Sequence, residues 1–327
     1  MRILFFTDSH IRGTTPRNRK DDFVDTLEEK FLEIRDIINT NHVDFVLHGG
    51  DLFDRPDVSI SITARFSRIL KEIQAPIYIV SGNHDVFGHN PLTINRTMLG
   101  LLSQLDIFTI IDEKDKLILD KDGIRVQVTG QPYIYNMDDS ANRKYYILDD
   151  VDEGVNYSIH IVHGMLLDKP FVKGVPYTLV EEIKDTKADI TLAGHYHSGF
   201  DNIQIEGKYF INPGSIVRIS NSLREMERRP KVIIIDLEDE IKISNIYLES
   251  ALDSNLVLDR EEIEKSIFKR ERLYEFKQTI DSAVNFEKMD INDLLIEVSR
   301  SEGLSEEVKE EALRRIAMVQ MKGLSGD

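Results

Sequence analysis

Nine positions carry side chains that can hold a cation or move a proton: Asp8, His10, Asp51, Asn83, His84, Asp85, His163, His195 and His197. Each falls just past a short apolar run. Ile77-Tyr78-Ile79-Val80 leads into Ser81-Gly82-Asn83-His84-Asp85, and Ile3-Leu4-Phe5-Phe6 into Asp8-Ser9-His10. Phe45-Val46-Leu47 leads into Gly49-Gly50-Asp51-Leu52-Phe53-Asp54. Ile159-His160-Ile161-Val162 leads into His163-Gly164, and Ile190-Thr191-Leu192-Ala193 into Gly194-His195-Tyr196-His197. Asn, His and Asp side by side are poor core material, but they suit a cleft that needs oxygen and nitrogen donors. Carboxylate, imidazole and amide donors without sulfur favour Mn²⁺, Fe²⁺ or Zn²⁺ over Ca²⁺. Seven of the nine (Asp8, His10, Asp51, Asn83, His163, His195 and His197) are too many for one transition metal with an open position. They fit two metals that share a carboxylate.

The elements that must position these residues follow from the same runs. Short apolar runs read as buried strands. Apolar periodicity predicts helices over residues 22–39 and 58–74, the second stopped by Pro76. Strand, helix, strand, helix, strand is the order of a parallel sheet with helices on its faces. Open α/β sheets bind ligands beyond the carboxyl ends of their strands, where the donors fall. Further on, the pattern predicts a helix at 92–105 and short strands at 107–111, 116–119 and 124–129. The last two are joined by a turn, Asp120-Lys121-Asp122-Gly123. A short polar helix is expected at 138–149, and hairpins at 203–211 and 231–248. The expected fold is therefore α/β, with mixed sheets flanked by helices. From about residue 251 strand signals stop, and helices are expected at 260–285, 290–300 and 305–322. This divides the chain into a catalytic domain, 1–250, and a helical C-terminal region, 251–327.

Composition bounds the reading. The chain has 327 residues, 41% apolar and 30% charged, enough for a sizeable core. No apolar run approaches a membrane span, and the chain enters a strand at residue 2 without a signal-peptide pattern. The absence of cysteine excludes disulfides and thiolate metal sites and fits a cytoplasmic protein. A net charge of −17 repels nucleic acid on average, so binding DNA would need local basic patches. Arg12, Arg17, Arg19 and Lys20 follow the first donor pair, and Arg218, Arg224, Arg228, Arg229 and Lys231 follow the last. His42, His48, His89 and His160 belong to no motif and read as surface or structural histidines.

The ordered set Asp8-x-His10, Gly50-Asp51-x-x-Asp54, Gly82-Asn83-His84-Asp85, His163-Gly164 and Gly194-His195-x-His197 resembles the calcineurin-like metallophosphoesterase superfamily. It is most similar to the SbcD-type DNA nuclease subunits. That resemblance implies a calcineurin-like phosphoesterase sandwich and two divalent ions, manganese foremost. It assigns Asp8, His10 and His197 to one metal, Asn83, His163 and His195 to the other, and Asp51 to both. It makes His84 the group facing the phosphate, with Asp85 orienting it; by their position beside the donor motifs, Arg12, Arg17, Arg19 and Arg218 are candidate phosphate contacts. It further implies DNA exonuclease and endonuclease activity in repair or recombination, an SMC-like coiled-coil ATPase as partner, and a homodimer. The alternative within the superfamily is a phosphatase or small-nucleotide phosphodiesterase. One departure stands out: the family carries a mixed α/β cap after its core, and this chain reads as helical only.

Overall fold

The computed structural model describes residues 1–259 apart from 173 and 221, and a few single residues beyond 260. The helices expected at 260–285, 290–300 and 305–322 lie outside the described residues. The chain divides into two compact units, Met1–Ile263 and Glu264–Asp327. All the candidate donors lie in the first.

Along the chain come β1 (Arg2–Phe6), α1 (Phe23–Thr40), β2 (Phe45–His48), α2 (Ile60–Lys71) and β3 (Ile77–Ile79). Then follow α3 (Met98–Gln104), β4 (Thr109–Ile110), β5 (Lys116–Lys121), β6 (Ile124–Gln131) and β7 (Tyr157–Gly164). A small ladder, β8 (Leu166–Leu167) with β9 (Thr178–Leu179), precedes β10 (Ile190–His195), β11 (Phe200–Ile205) and β12 (Lys208–Asn212). The unit ends with α4 (Leu223–Glu227), β13 (Lys231–Leu237), β14 (Ile241–Tyr247) and α5 (Ser254–Val257).

Two six-stranded mixed sheets result, in the orders β14-β13-β1-β2-β3-β4 and β11-β12-β10-β7-β6-β5. The strands that end in donors run parallel within each sheet: β1 with β2 and β2 with β3 in one, β7 with β10 in the other. Strand alternation explains the layering. Ile3 and Phe5 of β1 point toward the second sheet and share a core with Val126, Val128, Ile159, Ile161 and Leu192. Leu4 and Phe6 point the other way, onto α1 and α2 through Leu27, Phe31, Ile34, Phe66 and Ile69. The outer face of the second sheet packs Val162, Ala193 and Phe210 against Tyr146, Val180 and Ile183.

Two expected elements differ. The helix predicted at 92–105 is a 3₁₀ turn, Pro91–Arg96, followed by α3. Thr97 breaks it: its backbone is extended, and its hydroxyl accepts the Gly100 amide as a helix cap. The polar helix at 138–149 is a 3₁₀ segment, Ser140–Tyr146. No helix among the described residues is long and apolar enough to cross a membrane.

Lys30 of α1 is a cost built into this layer. It is 3% exposed, and burial, with Arg19 and Arg218 nearby, pulls its pKa down to about 8 from 10.5. The folded chain therefore gives up this proton at lower pH than the unfolded chain. Its penalty is complete below pH 8 and is relieved as pH rises toward 10.5. Lys30→Met should stabilise the fold at pH 7 by about 3 kcal/mol, the free energy of that shift. The gain should shrink above pH 9 when melting temperatures of the two proteins are compared. A gain that does not vary with pH would assign the effect to packing instead.

Candidate metal centre

The two sheets stack so that the tips of β1, β2, β3, β7 and β10 open at one end. The loops after β1 and β2 are stitched together: Asp8 N donates to Gly50 O, His10 N to Asp51 O and Ile11 N to Leu52 O, at 2.8–3.0 Å. Asp8, His10, Asp51 and His195 all hold positive φ, at 53°, 47°, 52° and 74°. Non-glycine residues rarely accept that conformation, and four donors adopt it because the tight turns aim them inward.

Two clusters form around a shared carboxylate. Donor atoms of Asp8, His10, Asp51 and His197 lie within 4.8 Å of one another, as do those of Asp51, His163 and His195. Asp51 Oδ2 stands 3.7 Å from His10 Nε2 and 3.3 Å from His163 Nε2. His10 Nε2 faces His197 Nε2 at 2.9 Å, and His197 Nε2 lies 3.5 Å from Asp8 Oδ1. Asn83 Oδ1 joins the second cluster, 3.2 Å from His163 Nε2 and 2.9 Å from His195 Nδ1.

The donor set fits a pair of divalent cations. His163 Nδ1 donates to Gly49 O at 2.7 Å, so in the neutral ring Nε2 carries a lone pair. That lone pair faces two oxygens, Asp51 Oδ2 and Asn83 Oδ1. Lone pairs converging in a buried space repel unless a proton or a cation sits between them. Asp51 Oδ2 is buried with no hydrogen-bond partner. Without a cation a proton takes the place: burial opposes it, but the nearby Asp51 charge pushes the His163 pKa up to about 9. Burial, then the His163 charge, pull His195 down to about 4. Imidazole, carboxylate and amide donors suit a first-row divalent metal.

His84 stands on the open side. Its Nδ1 donates to Asp54 O at 2.9 Å, because a carbonyl can only accept, and its amide donates to Asp51 Oδ1 at 2.8 Å. This leaves Nε2 without a hydrogen-bond partner among the described residues. Asp8, His10, Asp51 and His163 are buried, whereas His84, His195 and His197 are partly exposed, so a substrate can approach from their side.

Three expectations need correction. Asp85 makes no hydrogen bond to the His84 ring among the described residues. Its carboxylate is buried and accepts the Gly82 and Phe53 amides at 2.9 and 3.0 Å, so it shapes the loop, while the Asp54 carbonyl orients His84. Arg19 and Arg218 are not on the rim. Arg19 is buried against Asp21 and Arg218 O, and Arg218 against Leu252 O and Arg228 O, so both guanidiniums are spent holding loops. Arg12 lies at the site but pairs with Asp54 at 3.1 Å. Arg17 is exposed and forms no ion pair among the described residues.

The supporting role of His48, which belongs to no motif, was not legible from sequence, whereas the Asn212-Pro213-Gly214-Ser215 turn resembles the family's turn after its last motif. His48 accepts the Gly50 amide at Nδ1 and therefore donates from Nε2 to Ser9 Oγ, tying the first two donor loops together. Ser215 donates to Asp8 O at 2.6 Å, so the Asn212-Pro213-Gly214-Ser215 turn braces the centre. Gly82 is required by space: a Cβ there would stand 2.1 Å from Asp51 Oδ1 and 2.5 Å from Asp51 N. Gly82→Ala should displace Asp51, cost about 1–3 kcal/mol of stability through overpacking, and lower bound metal when assayed by elemental analysis. Wild-type metal content in this variant would show that the loop yields.

Residues 1–199 match the sequence profile of the calcineurin-like phosphoesterases, well over half of the chain. The chain belongs to that family. It is thus a member of a metal-dependent phosphoesterase hydrolase family, and its paired sheets have that family's fold. Among similar proteins, the double-strand break repair protein MRE11 of Encephalitozoon cuniculi is 26% identical over 310 residues, covering 82% of this chain and 51% of that one. The DNA double-strand break repair protein Mre11 of Sulfolobus acidocaldarius is 26% identical over 286 residues, covering 82% and 69%. The chain therefore spans about half the length of the first relative. Among solved structures, TT1561 of Thermus thermophilus is similar with a TM-score of 0.42 at 16% identity, over 75% of this chain and 98% of that one.

Proposed function

We propose that this phosphoesterase is a DNA nuclease that uses two manganese ions and acts as the nuclease subunit beside a coiled-coil ATPase in double-strand break repair. The observation that carries the reading is Asp51 Oδ2, unpartnered and facing both His10 Nε2 and His163 Nε2. Asp8, His10 and His197 would hold one ion, Asn83, His163 and His195 the other, and Asp51 both. Bound there, the pair would supply Lewis acidity to the phosphoryl oxygens and an acidified water as nucleophile.

The protein's own groups do the rest. The buried carboxylates of Asp8 and Asp51 set the charge of the centre. His84, held by Asp54 O, presents Nε2 on the open side, where the doubly protonated ring stabilises charge on the phosphate and gives its Nε2 proton to the leaving oxygen, returning to the neutral ring. The choice of DNA is supported by the names of the relatives, which are double-strand break repair proteins. Residues 251–327 are proposed as the partner-binding region, and the cytoplasm as the compartment.

The test is hydrolysis by the isolated chain with Mn²⁺. Linear duplex DNA and single-stranded DNA are set against cyclic nucleotides and aryl phosphates. We expect DNA to be degraded with the higher kcat/KM. Turnover of cyclic nucleotides or aryl phosphates with intact DNA would replace this reading by a phosphatase or small-nucleotide phosphodiesterase.

A further inference from the structure

Beside the metal centre lies a cleft of about 690 Å³ that the reaction does not account for. Its wall begins at Ser198 and Gly199, directly after the donor His197, and includes Pro213 of the turn that braces Asp8. Its lining holds five Lys or Arg against three Asp or Glu, in a chain whose net charge is −17. One of the five, Arg228, is spent on Glu225 and on the carbonyls of Ser215 and Val217. Another, Lys169, pairs with Asp168 at 3.5 Å; three can reach a ligand, Arg229 while also donating to Leu248 O at 3.3 Å. Arg224 reaches the Tyr196 hydroxyl. Arg229 and Lys231 lie over the Tyr247 ring, 5.8 and 6.0 Å from its centroid.

Lys231 is the telling member. It is 8% exposed, lines the cleft, and forms no ion pair among the described residues. Burial lowers its pKa while the Asp201 carboxylate, another wall of the cleft, acts the other way, so its charge is only partly compensated and an anion entering the cleft adds to that compensation. Tyr247 holds both cations against its face and limits the freedom they lose on binding.

We propose that this cleft holds the phosphodiester backbone of one DNA strand running alongside the metal centre. The inference rests on the nuclease reading above. A cleft of this volume is in the range that encloses one small ligand, which corresponds to a nucleotide or two of a single strand. Arg224, Arg229 and Lys231 offer charge to phosphates without reading bases, so binding should be independent of sequence and strongly salt-dependent. The cleft also answers how so acidic a chain could take an anionic polymer: its repulsion is an average, and the strand meets a local excess of cations.

The test is binding of a fluorescent single-stranded oligonucleotide, read by anisotropy in a His84→Ala background that leaves the DNA intact. Hydrolysis of bis-p-nitrophenyl phosphate is measured in the otherwise wild-type protein. Arg229→Gln with Lys231→Met should weaken oligonucleotide binding about 10- to 100-fold near 0.1 M salt. It should reduce the slope of log Kd against log salt by about 0.7 per cation removed. Small-ester turnover should not change. Arg229→Lys with Lys231→Arg should restore binding and guards against a folding defect. Unchanged affinity and slope in the neutral double variant would overturn the proposal, as would failure of the charge-keeping pair to restore binding. A wild-type chain that binds the oligonucleotide through these residues but never cuts DNA would remove the nuclease reading and leave the cleft standing. One that cuts DNA while the double variant binds normally would do the reverse.

Discussion

Asp51→Asn is expected to lower DNA hydrolysis by at least three orders of magnitude, about 4 kcal/mol of transition-state stabilisation, and to bring bound manganese from two ions per chain to fewer than one. The reason is the shared position of this one carboxylate. Asp51 Oδ2 faces His10 in one cluster and His163 in the other, so no substitution there spares either ion. Asp8 and Asp51 are the only carboxylates among the seven donors. Two divalent cations in a buried site need that charge. Asparagine keeps the shape, and its oxygen can still accept the His84 amide, as Asp51 Oδ1 does at 2.8 Å. Its NH₂ would then donate into the space between the histidines, filling it with hydrogen where a cation belongs. Manganese per chain after gel filtration, measured beside kcat, reads both effects. Two retained ions with activity near wild type would refute the shared-carboxylate arrangement.

His84→Ala should separate chemistry from metal binding. The variant is expected to keep both ions while kcat falls by about 10²- to 10⁴-fold, the usual contribution of a positioned acid or base. The separation follows because the hydrogen bond from residue 84 to the metal centre comes from its backbone, while its ring packs edge-on against His10 with 4.9 Å between centroids. The amide that donates to Asp51 Oδ1 remains in alanine, whereas the imidazole held by Asp54 O is lost. KM for DNA should change little, since the ring acts on the leaving oxygen and not on the remote strand. Equal cleavage by variant and wild type would remove His84 from the mechanism. Loss of manganese together with activity would show that the ring supports the centre instead.

Much of this site is legible in the chain because it is written at strand ends. The five apolar runs that lead into donors become β1, β2, β3, β7 and β10, with the donors of β7 and β10 in the last residues of the strand itself. Short-range rules also served the turns. Asp122-Gly123 and Glu206-Gly207 each hold two successive positive φ angles, as two-residue hairpins require, although Asp120 and Lys121 of the expected four-residue turn belong to β5. The failures follow the opposite logic. Helix periodicity over 92–105 could not show that Thr97 would cap a new helix.

By itself the sequence determined the donor types, their order, the strands that carry them and, through these, membership of a metal-dependent phosphoesterase family. Tertiary structure alone decided the partnerships. It places Asp51 between histidines 41 and 112 positions away, hands the orientation of His84 to a carbonyl and not to its neighbour Asp85, and draws Arg19 and Arg218 inside while gathering Arg229 and Lys231 at a cleft. The physical reason is range. A residue's type and its near neighbours govern local conformation. Which charge meets which depends on how two sheets stack, and that packing depends on the whole core.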